Sequence, residues 1–72
     1  MPKIPSVSFK KVIGALEKCG YVISRQRGSH IRMCHNSECP VTIPTHNPVA
    51  RGTLRKILRD SKLSVEEFIE LL

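Results

Sequence analysis

The apolar residues of this chain change their spacing twice within 72 positions, and that switch of period limits the folds open to it. Phe9, Val12, Ile13 and Leu16 recur at helical intervals, with Lys10, Lys11, Glu17 and Lys18 on the other side, as in an amphipathic helix. A helix over about residues 7–19 is expected. Ser6 or Ser8 can cap its start by accepting an orphan backbone N–H, and Gly20 can end it in the left-handed conformation. From Tyr21 to Thr45 the pattern shortens to β-prone runs, Tyr21–Ser24, Ser29–Cys34 and Val41–Ile43, which read as three antiparallel strands. Arg27-Gly28 supplies the first tight turn, and Asn36, Ser37 and Pro40 sit in the second connection. Side chains alternate along a strand, so Ser29, Ile31 and Met33 face one way, toward the helices, while His30, Arg32 and Cys34 face the other.

Two prolines mark 44–48 as a loop, after which Leu54, Ile57, Leu58 and Ser61 return to helical spacing. Arg51, Arg55, Arg59 and Lys62 form a basic ridge on the opposite side of that helix, with Lys56 beside it. Ser64 and Glu67 write a capping box for a short third helix bearing Val65, Phe68, Ile69 and Leu72. The expected architecture is one α+β domain over residues 1–72 in the order α-β-β-β-α plus a short C-terminal helix, with the helices on one face of a three-stranded antiparallel sheet. That is the layout of the double-stranded-RNA-binding fold, which by itself does not establish RNA binding.

Charge narrows the partners. Twelve Lys and Arg against six Asp and Glu leave +6, with a pI near 9.7, and such a density points to polyanions, phosphate backbones first. No apolar run suits a secretory signal or a membrane span, and three cysteines without a secretory context favour reduced thiols in a cytoplasm over a disulfide framework. Glu17, Asp60, Glu66, Glu67 and Glu70 are scattered over helices and Glu38 stands alone in a turn, so neither a magnesium-binding cluster nor a glycosidase pair is visible. Cys34, His35, Cys39 and His46 are zinc-type ligands without the second close pair that a tetrahedral site requires, and no cysteine–histidine motif marks a thiol nucleophile. No metal or other cofactor is expected. Phe9 and Phe68 belong to apolar stripes, leaving too few aromatics for a base-stacking platform and little support for sequence-specific readout.

The chemistry concentrates between Arg25 and Arg32, where Arg25, Arg27, Arg32 and the imidazole of His30 share eight residues with Gly28, which lets backbone approach phosphate closely. An imidazole is suited to taking a proton from a ribose 2′-hydroxyl, and guanidinium groups suit the charge that develops on phosphorane oxygens, giving in-line transesterification without metal. The plainer alternative is a polar histidine on a solvated strand. On the second predicted helix five cations stand against the single acid Asp60, whereas a merely solvated face mixes signs, so phosphate contact is expected there too.

Gly20-Tyr21 followed by Arg25-Gln26-Arg27-Gly28-Ser29-His30, then Val41-Thr42-Ile43-Pro44 with His46, then Gly52-Thr53-Leu54-Arg55-Lys56-Ile57-Leu58, together resemble the HicA toxin family, also called YcfA-like. The resemblance covers nearly the whole chain. It implies a ribosome-independent mRNA interferase of a type II toxin–antitoxin pair, with the fold reached above and a HicB-type antitoxin that binds the toxin and masks its active site. The family's catalytic histidine, in a Gly-Ser-His motif, falls on His30, residue for residue with Gly28 and Ser29. The Gly-Thr-Leu-Arg motif falls on Gly52–Arg55, where architecture and phosphate contact are expected, and the thiols of the turn 34–40 are no part of the pattern.

The combined expectation is a metal-independent endoribonuclease acting on mRNA, with His30 as general acid/base. Arg25, Arg27, Gly28, Ser29 and Arg32 hold phosphate near it, while His46, Arg51, Arg55, Lys56 and Arg59 extend the RNA track. The group that protonates the leaving 5′-oxygen stays open among His46, a neighbouring lysine and an arginine-bound water. The competitors are a non-catalytic RNA-binding module and an interaction protein whose basic surface serves only an acidic partner.

Overall fold

The computed structural model describes residues 3–37 and 40–72. Glu38 and Cys39, weighed above as a turn carboxylate and a zinc-type ligand, lie outside the described residues. The elements are α1 (Phe9–Lys18), β1 (Val22–Arg27), β2 (His30–Cys34), β3 (Val41–Pro44), α2 (Arg51–Asp60) and α3 (Val65–Leu71). The strands form one antiparallel sheet in the order β1-β2-β3, so the architecture is the expected α+β arrangement.

Of the two candidate caps for α1, Ser8 is the one used, its Oγ accepting the Lys11 N–H at 3.4 Å. The helix begins later than residue 7 because Val7 is held in the preceding segment, where its carbonyl accepts the Val49 N–H at 2.9 Å. Asn47 Oδ1 accepts the Phe9 N–H at 3.1 Å and fastens the same end of α1 to the proline-rich loop, whose Asn47–Pro48 peptide is cis.

At the other end of α1, Gly20 takes φ +97°, with Gly20 N–H donating to Glu17 O and Tyr21 N–H to Leu16 O, both at 3.1 Å. This is the double-bonded left-handed stop that satisfies the last helical carbonyls. It draws Tyr21 into the core, 2% exposed, so the first strand starts at Val22 and not at Tyr21. The stop of α2 repeats the pattern, with Leu63 N–H donating to Leu58 O at 2.9 Å and Lys62 N–H to Arg59 O at 3.2 Å. Here Lys62 occupies the left-handed position, φ 59°, at the helix end instead of continuing the basic ridge. The capping box of α3 forms as read, Ser64 and Glu67 each accepting the other's N–H, at 3.0 and 3.1 Å.

The inner face of the sheet presents Ile31, Met33, Val41 and Ile43 to a core shared with Leu16, Leu54 and Phe68, all of them buried. Full burial of side chains of this size contributes about 1.5–3 kcal/mol each before entropy is counted. α2 lies along β3, so Leu54, Ile57 and Leu58 enter the core while the polar side of the helix rises beside the sheet's outer face. That outer face carries the polar residues of β2 and β3, His30, Arg32 and Thr42, all exposed.

Candidate active site

Two features of the β1–β2 hairpin decide what surrounds His30. The hairpin closes through a two-residue loop, Gly28-Ser29, because Arg27 pairs directly with His30. The turn lies one residue later than Arg27-Gly28, and Ser29 belongs to the loop and not to the inner face with Ile31 and Met33. Gly28 holds φ +58° at the first loop position, where a positive φ matches the twist of the flanking strands. A Cβ at this position would meet open space, so the glycine is required by the turn and not by crowding.

The second feature is a bulge. Ile23 pairs with Met33, but Arg25 pairs with Arg32, so Ser24 is an extra residue in β1. Without it, the register of Ile23 with Met33 would carry Arg25 opposite Ile31, on the face that meets the helices. With it, Arg25 stands opposite Arg32 and Arg27 opposite His30, all on the outer face. All six residues of β1 are exposed, and the strand runs to Arg27, three residues beyond the expected Ser24.

As a result Arg25, Arg27, His30, Arg32 and Thr42 line one recess. His30 and Thr42 also line a second, adjoining groove, whose other wall is Thr53, Lys56 and Asp60 of α2, with Pro40 and Pro44 at its ends. The imidazole thus stands where an arginine-lined recess meets a lysine-lined one. Arg25 directly opposite Arg32 is a like-charge cross-strand pair, which destabilises a sheet unless an anion lies between the charges. The position of His30 is fixed through its neighbour: Ser29 O accepts both the Thr45 N–H at 2.8 Å and the Thr45 hydroxyl at 3.2 Å, tying the start of β2 to the end of β3. The Ser29 carbonyl, and not its side chain, carries that bond.

The expected RNA-contacting residues divide. Arg25, Arg27 and Arg32 gather around His30, Gly28 and Ser29 turn the chain beside it, and Lys56 reaches the second groove. His46, Arg51, Arg55 and Arg59 are exposed and line neither recess. Sequence reasoning missed Thr42, Thr53 and Asp60 as site residues. The signal for Thr42 was present, since it is the one outward residue between Val41 and Ile43; Thr53 and Asp60 required knowing that α2 flanks β3.

His35 has an architectural place. Its Nδ1 accepts the Ser37 N–H at 3.1 Å, which leaves Nε2 as the protonated nitrogen of the neutral ring, and Nε2 donates to Cys19 O at 3.1 Å. The ring lies 4.9 Å from that of Tyr21, so it locks the end of α1 onto the end of β2. Cys19 and Cys34 are free and half-buried. Burial pushes the Cys19 thiol above its ordinary value, helped by the nearby charge of Glu67. Among the described residues no three His, Cys, Asp or Glu side chains gather as ligands for a metal ion, and no helix is long and apolar enough to cross a membrane.

Compared with curated proteins, the chain gives no match. Compared with protein families, residues 9–63 match the HicA toxin of bacterial toxin–antitoxin systems, a stretch that runs from the first residue of α1 past the left-handed stop of α2 and includes both recesses. The chain therefore belongs to the HicA toxin family and is a toxin of a bacterial toxin–antitoxin system.

Proposed function

We propose that this toxin is an mRNA endoribonuclease that uses His30, without metal, to move protons during transesterification. The observation that supports this most is the placement of an exposed imidazole in a recess with three guanidinium groups, two of them opposed across the strands, where only an anion relieves the repulsion. A phosphodiester seated there has its non-bridging oxygens against Arg25, Arg27 and Arg32. The imidazole of His30 takes the proton of the neighbouring 2′-hydroxyl, O2′ bonds to phosphorus, and the bond to O5′ breaks as O5′ takes up a proton from water or a neighbouring acid, leaving a 2′,3′-cyclic phosphate and a 5′-hydroxyl. The site works in the cytoplasm, where mRNA is the abundant substrate. A HicB-type antitoxin that covers the recess blocks access, and acidic groups on it would speed the encounter with a chain of charge +6.

The test is His30→Ala against the parent toxin, measured by cleavage of a defined mRNA and by growth arrest on induction. His30 is exposed on the outer face, so the variant keeps the core and its melting temperature. Cleavage is expected to fall by about two to four orders of magnitude and to persist in EDTA for the parent. Full cleavage by the variant removes His30 from catalysis, loss on chelation removes the metal-free scheme, and RNA that is shifted but left intact by the parent favours the non-catalytic binder.

A further inference from the structure

In-line displacement at phosphorus places the attacking O2′ and the leaving O5′ on opposite sides of the transferred group. One imidazole cannot serve both oxygens at once, so O5′ takes its proton from water or from a second group across the phosphate from His30, and a built-in acid there would hasten the step. The groups that share the two recesses with His30 decide which. Arg25, Arg27 and Arg32 carry guanidinium groups, which do not give up protons in proteins and act as fixed charge. Thr42 and Thr53 are hydroxyls, and His46 lines neither recess. Lys56 is the remaining nitrogen acid, and it projects from α2, a different element from the strand that carries His30, into the groove they share. Asp60 follows one helical turn later and lines the same groove, at the i, i+4 spacing from which a carboxylate can reach an ammonium.

Resting on the ribonuclease reading above, we propose that Lys56 is the general acid of the cleavage, with Asp60 as its positioning residue. His30 accepts the 2′-hydroxyl proton as the O2′–P bond forms. The Lys56 ammonium gives a proton to O5′ as the P–O5′ bond breaks, leaving a neutral amine that is reprotonated by water. The arginine recess holds the charge on the non-bridging oxygens throughout.

A 5′-bridging phosphorothiolate separates this role from simple phosphate binding, because a thiolate leaves without a proton where an alkoxide does not. The substrates are one short RNA with a normal linkage and the same RNA with sulfur at the 5′ bridging position of the cleaved bond. On the normal RNA, Lys56→Ala and Lys56→Arg are both expected to lose about 10²–10⁴-fold in kcat, with Lys56→Arg keeping the parent's RNA affinity. On the phosphorothiolate both variants are expected to return to within about tenfold of the parent, while His30→Ala stays inactive on both substrates. Asp60→Asn is expected to lower kcat on the normal RNA alone. Cleavage of the normal RNA by Lys56→Arg at the parent's rate reduces Lys56 to a charge contact and overturns the proposal, as does failure of the sulfur substrate to rescue Lys56→Ala. Either outcome leaves the ribonuclease reading standing, which fails if the parent cleaves neither substrate, while cleavage of both by His30→Ala removes only the role of His30.

Discussion

Replacing Gly20 by alanine tests how α1 is joined to the sheet. At φ +97° an L-residue costs about 1–2 kcal/mol relative to glycine. The new Cβ would also lie 3.1 Å from His35 Nε2 and 3.3 Å from His35 Cδ2, closer than ordinary van der Waals contact, so the ring must move. That ring is held by Cys19 O and by the Ser37 N–H, and displacing it forfeits up to two hydrogen bonds, about 0.5–1.5 kcal/mol each. With both bonds lost the expected cost is about 2–5 kcal/mol, a large share of the roughly 4–11 kcal/mol that 0.05–0.15 kcal/mol per residue gives a domain of this size. In melting temperature this is a fall of roughly 8–40 °C. Urea titrations followed by far-UV circular dichroism measure it, with His35→Ala and the double variant completing a cycle. With the ring removed, Gly20→Ala should cost only the backbone strain, about 1–2 kcal/mol. A single variant within about 0.5 kcal/mol of the parent refutes the strain argument. An equal cost in both backgrounds refutes the contact with His35.

Two further outcomes follow from the recess and from Cys19. Removing one phosphate contact with Arg32→Ala, in a His30→Ala background that leaves the RNA intact, should flatten the dependence of log K on log salt by about 0.7 for a single strand; an unchanged slope places Arg32 away from the backbone. Because burial, and then the charge of Glu67, raise the Cys19 thiol above its ordinary 9.0, its contribution to stability is complete below pH 9.0 and is lost as pH rises through the raised folded value. Denaturation midpoints between pH 8 and 11 should therefore fall more steeply for the parent than for Cys19→Ala, and parallel curves dispose of the effect.

Periodicity made the elements legible. Leu16, Leu54 and Phe68 enter the core as their spacing requires, and the caps at Ser8 and Ser64 form where a hydroxyl precedes an apolar stripe. His30 and Arg32 share the outer face because alternation along β2 is unbroken. Alternation fails in β1, since strict counting from Ile23 sends Arg25 and Arg27 inward and no single residue type announces the bulge at Ser24. The second groove was illegible for a different reason. It depends on how α2 lies against β3, a matter of packing between segments whose local patterns are each ordinary, and so Thr53 and Asp60 stand out only once the helix is in place, while Lys56, expected from its charge, acquires its place beside His30 only then.

The extra residue in β1 has a consequence for how chains of this kind tolerate changes of length. Excising Ser24 joins Ile23 directly to Arg25 and leaves Ile23 beside Met33 and Arg25 beside Arg32, so both guanidinium groups keep their side of the sheet. Excising Gln26 instead, with the loop at Gly28-Ser29 and the bulge kept, would slide Arg25 next to Ile31 and turn it into the core. A one-codon gap is thus harmless at the first position and ruinous two codons later, and that asymmetry would be invisible to any scoring that weighs only which amino acids are exchanged.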